Sequence, residues 1–164
     1  MRIRNALLCV FALSIASQVE GEAIARSPLL GKWVADVARL PIPAEARPRS
    51  VTIVFSELEG GRLGTTVEVV DANGTPMRAE GTTSLDGKPS PVSGNLEADA
   101  SATTMPADNV LVMQLATGGV PASTRVYVVS NNGESMVETS AYVGGDGQPV
   151  LRTNYFQRSK PEVP

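Results

Sequence analysis

The stretch STRVYVVSNNGESMVETSAYV, residues 123–143, holds two alternating runs on either side of Asn131-Asn132-Gly133. Its Val, Thr and Tyr residues suit a pleated surface, and Asn-Gly enters the left-handed conformations that a tight hairpin demands. Gly144-Gly145-Asp146-Gly147 then returns the chain into an extended run over 150–158. The same turn chemistry recurs upstream at Asn73-Gly74 and Asp86-Gly87, which leaves little room for a helical fold. Three of these turns extend to (Asn/Asp)-Gly-X-Pro, at Asn73 to Pro76, Asp86 to Pro89 and Asp146 to Pro149. There the Gly permits the reversal and the Pro starts the outgoing segment at fixed φ. Their unequal spacing argues against a solenoid or propeller repeat.

Working outward, residues 51–56 and 63–70 read as strands, with Val51, Ile53 and Phe55 on one face of the first and Leu63, Thr65, Val67 and Val69 on one face of the second. Residues 76–84 follow, then a more irregular 89–96. Residues 99–105 suit an edge strand or loop. Residues 110–115 are apolar on both parities and predict a central strand covered on both sides. Residues 29–35 predict the first strand, with Leu29, Gly31, Trp33 and Ala35 on one face. Between it and Val51, Pro41, Pro43 and Pro48 predict an ordered loop with one short helical turn at 44–47. The expectation is an all-β antiparallel meander of about eight strands closing into a small barrel, with a two-sheet β-sandwich as the alternative.

Arg2 and Arg4 precede an apolar run over 6–16, after which the chain turns polar at 17–21. That order predicts a secretory signal over 1–21, cut ahead of Glu22, with cuts near Ala16 or Ala23 as alternatives. The apolar run is shorter than the ~20 residues that span a bilayer, so no integral membrane segment is expected in the mature chain. Residues 22–28 read as a flexible leader, 29–158 as one barrel domain and 159–164 as a flexible tail. The expected location is periplasmic or secreted. Cys9 sits inside the signal, so processing leaves neither disulfides nor thiol chemistry. From Glu22 onward 12 Lys or Arg stand against 16 Asp or Glu. This mild acidity and the scattered Arg47, Arg49, Arg62, Arg125 and Arg152 disfavour nucleic acid as a partner.

The chain has no His, which removes the commonest neutral-pH acid/base group and the usual partner of a nucleophilic Ser. No Gly-X-Ser-X-Gly or Ser-X-X-Lys element is present. With neither His nor a mature Cys, no transition-metal site and no cofactor is expected. Asp71-Ala72-Asn73-Gly74 opens like a calcium loop but lacks the later oxygen ligands, and reads as a turn. Glu57 and Glu59 share a parity, and Glu68 and Glu80 meet only under one cross-strand register. A carboxylate hydrolase built on Glu57, Glu68 or Glu80 is one reading; an exposed polar face is the plainer one.

Gly31-Lys32-Trp33 resembles the Gly-X-Trp element on the first strand of lipocalin-like proteins. With Asp86-Gly87-Lys88 and Tyr155-Phe156, the span from Leu30 to Gln157 also resembles a group of small exported bacterial β proteins of uncharacterised function. The resemblance implies that Trp33 closes the base of a barrel and that a basic residue on the last strand, Arg158 or else Arg152, packs across it. It further implies a non-enzymatic carrier of a small apolar or amphipathic molecule, with Val67, Met113, Val128 and Tyr142 as interior contacts. A structural or protein-interaction module with an envelope protein as partner is the alternative. The Pro-rich interval before Val51, the lack of disulfides and the low aromatic content depart from the lipocalin pattern.

Overall fold

Extended segments form ten strands in the computed structural model, which describes Ile24, residues 27–94 and residues 96–160. The expected signal over 1–21, Cys9 within it, and the end of the tail beyond Lys160 lie outside the described residues. The strands are β1 (Gly31–Ala35), β2 (Ser50–Leu58), β3 (Arg62–Val70), β4 (Pro76–Thr83), β5 (Asp86–Gly94), β6 (Ala100–Ala107), β7 (Val110–Thr117), β8 (Val120–Val129), β9 (Ser135–Val143) and β10 (Pro149–Arg158). Each pairs antiparallel with its sequence neighbour, and β1 pairs with β10 through Trp33↔Arg158 and Ala35↔Phe156, so the meander closes into one barrel. Closure removes the unpaired edges that a sandwich would retain.

Ten strands replace the expected eight or so because the polar segments 86–94 and 100–107 both pair. Residues 110–115 are also corrected. In a single-layer barrel only one face of β7 is covered: Leu111 and Met113 are buried, whereas Val110, Val112 and Gln114 are half-buried on the outer wall. The Pro-rich interval forms two short 3₁₀ turns, Val37–Arg39 and Ala44–Ala46. No helix among the described residues is long and apolar enough to cross a membrane.

Strand direction sorts the turns into two ends. At the base lie the β2–β3, β4–β5, β6–β7 and β8–β9 turns together with the start of β1; at the mouth lie the 36–49 loop and the other four turns. The base half is solid. Trp33, Phe55, Leu63, Leu111, Tyr127, Val129, Met136 and Phe156 form its core, with Phe55 edge-on to Tyr127 at 5.5 Å. Ile24, Ser27 and Leu29 are buried there too, which corrects the reading of 22–28 as a loose leader at its described positions. Ser27 Oγ donates to the Asp108 carbonyl in the β6–β7 turn, which ties Ser27 to the barrel floor.

The Trp33 indole donates to the Leu29 carbonyl at 2.7 Å, and the Arg158 guanidinium lies 4.2 Å above the Trp33 ring. Arg158 also donates to the carbonyls of Pro28, Leu30 (2.7 Å) and Gly133 (2.5 Å). Gly31 makes this approach feasible. Its φ is +120°, and a Cβ there would lie 2.7 Å from Arg158 Nη1. The first residue of the Gly-X-Trp element is therefore explained by the guanidinium above it.

Candidate ligand-binding site

Above the solid base the barrel is hollow. A cavity of about 300 Å³ is lined mainly by apolar side chains: Val51 and Ile53 of β2, Val67 and Val69 of β3, Met113 and Leu115 of β7, and Phe156 of β10. Leu40 from the 36–49 loop and Leu96 from the β5–β6 loop contribute at the mouth. The volume lies at the lower end of the roughly 300–1,000 Å³ typical of small-molecule sites.

One wall is polar. Arg125 of β8, Glu138 of β9 and Asn154 of β10 all point inward, because they share parity with the buried Tyr127, Met136 and Phe156. Glu138 is 2% exposed, and its carboxylate is held at both oxygens: Arg125 Nη1 donates to Oε1 at 2.6 Å and Asn154 Nδ2 to Oε2 at 2.9 Å. A buried carboxylate needs such partners, since its isolated transfer from water is prohibitive. The other end of the guanidinium pairs with Glu97, half-exposed in the β5–β6 loop. Burial works against the Arg125 cation, but the paired Glu138 and Glu97 carboxylates outweigh it, so it is held above its ordinary value. Burial, reinforced by the Glu138 charge, pushes the Tyr127 phenol well above the usual tyrosine range and keeps it neutral.

A second cleft at the mouth shares Leu40, Glu97, Arg125 and Asn154 with the cavity and adds Pro41, Ile42, Tyr142 and Arg152. The Arg152 guanidinium sits 5.3 Å from the Tyr142 ring. Among the described residues, no group of three or more His, Cys, Asp or Glu side chains is placed to hold a metal ion.

The sequence-predicted positions separate. Val67 and Met113 line the cavity. Tyr142 faces inward but at the mouth cleft, above the main cavity. Val128 is corrected: it is 40% exposed on the outer wall, because Tyr127 and Val129 take the inward parity of β8. Glu57 is exposed, and Glu68 and Glu80 both pair with Arg78 on the outer wall, so that although Glu80 borders the cavity, its carboxylate is half-exposed and ion-paired outside it. The residues missed are Glu138 and the inward role of Arg125. Their signal is faint but present: in the hairpin over 123–143, Arg125 shares a parity with Tyr127 and Glu138 with Met136 and Tyr142.

Fold and cavity define the class: a closed, ten-stranded antiparallel barrel, hollow at one end, with a compensated charge cluster on one inner wall. A solved structure described as EF1p2_mFAP2b bound to DFHBI is similar at 12% identity, covering 84% of this chain and 98% of that one, with a TM-score of 0.48. A likeness that remote carries no argument about ligand. No protein-family model matches the chain, and a search of curated proteins finds no match.

Proposed function

We propose that this protein is a non-enzymatic carrier of a small amphipathic molecule, held in the mouth half of the barrel. The observation that supports this reading is the pairing of an apolar cavity of about 300 Å³ with one polar wall. An apolar body would be drawn in at about 25 cal/mol per Å² of buried surface before binding costs, and the Arg125–Glu138–Asn154 wall would orient a polar group. Trp33 and Arg158 serve as the closure of the opposite end. The architecture fits the lipocalin-like expectation raised by Gly31-Lys32-Trp33.

N-phenyl-1-naphthylamine, an uncharged probe that brightens in apolar surroundings, is expected to bind saturably, and Val67→Phe to weaken that binding at least about tenfold by filling the cavity. A linear, unsaturable response, or equal binding by the variant, overturns the carrier reading. We further infer export through a signal over 1–21. Fractionation of the producing cell tests this, and trimmed protein outside the cytoplasm is the expected result. The envelope-partner reading draws on outward-facing Val143 and Leu151, 69% and 72% exposed and diagonal across β9–β10. It predicts that Leu151→Glu abolishes cross-linking to another envelope protein while probe binding persists.

A further inference from the structure

Thr65, Thr83 and Thr103 carry buried hydroxyls with no hydrogen-bond partner among the described residues. Their positions are not scattered. Leu63 pairs with Thr83 and Thr65 with Gly81, so Thr65 and Thr83 are diagonal neighbours on the inner face of β3–β4. Strands β4 and β6 run parallel on either side of the weakly paired β5, and a Cβ on Gly81 would lie 3.8 Å from Ser101 Oγ. The next inward positions along these two strands are Thr83 and Thr103. Three hydroxyls therefore share one patch, on the side of the barrel opposite β8–β10 in the strand order. Thr65 and Thr83 line the cavity, and Thr83 and Thr103 are 4% and 1% exposed.

The chemistry of the patch selects its guest. A hydroxyl both donates and accepts, so it matches a carbonyl or hydroxyl oxygen. The acidic side chains that flank the patch in sequence are exposed and paired, Glu80 with Arg78 and Asp86 with Lys88, so nothing there compensates a buried charge. The bare Cα of Gly81 keeps the wall open beside the hydroxyls, since even a Cβ would come within 3.3 Å of Val92 Cγ2. A buried hydroxyl without a partner destabilises the fold, and a guest's oxygen removes that penalty.

We propose that Thr65 and Thr83, the two of these hydroxyls that line the cavity, form a second polar subsite that receives an uncharged carbonyl or hydroxyl oxygen, so that the bound molecule is apolar in its middle and polar at both ends. This rests on the carrier reading and narrows its ligand class. The test compares 2-acetylnaphthalene with 2-isopropylnaphthalene, two probes of similar size in which a carbonyl oxygen stands in place of a methyl group, by titration calorimetry.

Because the apolar transfer terms of the two probes cancel between proteins, the readout is the ratio of their dissociation constants in each protein. Thr83→Val is expected to shift that ratio about tenfold toward the isopropyl compound, the size of one lost hydrogen bond, and Thr83→Ser to restore it. Thr65→Val supplies the same comparison should Thr83→Val fail to fold. A ratio within twofold of the parent in every folded Val variant overturns the subsite but leaves the carrier reading standing. Failure of both Val variants to fold overturns it as well, by assigning the hydroxyls to the fold. If neither probe binds the parent protein saturably, both proposals fall.

Discussion

Arg158 satisfies the carbonyls of Pro28, Leu30 and Gly133 and covers the Trp33 ring, so one side chain joins the barrel floor, the first strand and the β8–β9 turn. Arg158→Ala is expected to lower unfolding free energy by about 2–4 kcal/mol, measured by urea titration. Arg158→Lys is expected to recover less than half of this, because an ammonium cannot fork toward three carbonyls and lie flat on an indole. Glu138 presents the complementary case. Glu138→Leu leaves the Arg125 cation facing a buried wall with only half-exposed Glu97 opposite it, and the expected cost is about 3–5 kcal/mol. The Arg125→Met/Glu138→Leu double variant is expected to regain most of that loss. A double-mutant cycle in urea checks it, and additivity of the two single losses would refute the coupling.

Among the elements, β5 is the weakest. Pro89 and Pro91 lack donors, and its pairing to β4 is confined to Ala79↔Gly94, Glu80↔Ser93 and Gly81↔Val92. Gly94 anchors that short contact with φ +127°, and a Cβ there would fall 2.1 Å from the Arg78 carbonyl oxygen. Gly94→Ala is expected to cost at least about 2 kcal/mol and to accelerate amide hydrogen exchange in β4 and β5 before other strands. Element boundaries were legible wherever a turn needed Gly: Gly74, Gly133 and Gly147 all have positive φ. They were less legible where pairing depends on tertiary closure. Around Asp86-Gly87 the reversal falls earlier, at Ser84-Leu85, with Leu85 itself at φ +59°. β6 carries Ala, Ser and Thr, whose weak strand signal becomes decisive only because β5 and β7 flank it.

For the whole molecule, the cavity wall was the hardest feature to read from sequence. Alternation in β8 sets Arg125 against Val126 and Val128, and polarity alone turns the arginine outward. The structure turns it inward because Glu138, on the next strand, compensates the charge, and that partnership exists only once the hairpin register is fixed. Val128 was misplaced for the same reason, whereas Val67 and Met113 lie on strands whose inward parity contains no charge. The same cluster sets the alkaline limit of stability. Tyr127 titrates above its unfolded value of about 10, so unfolding releases a proton above that pH. Its contribution is intact below about pH 10 and declines as pH rises further. The fall in melting temperature between pH 9 and pH 11 is expected to be smaller in Tyr127→Phe than in the parent; equal falls would contradict the burial of that phenol.

Ile24 is withdrawn from water and Ser27 is tied to Asp108 across the floor, so the signal removal proposed above would be constrained by the folded product as well as by the protease. Trimming after Ala23 would create a new ammonium on a residue with no access to solvent, whereas trimming ahead of Glu22 keeps that charge two residues away. Molecules cut too late would lose the lower seal of the barrel and be cleared first by quality-control proteolysis. Terminal sequencing of exported protein is accordingly expected to find chains that begin upstream of Ile24.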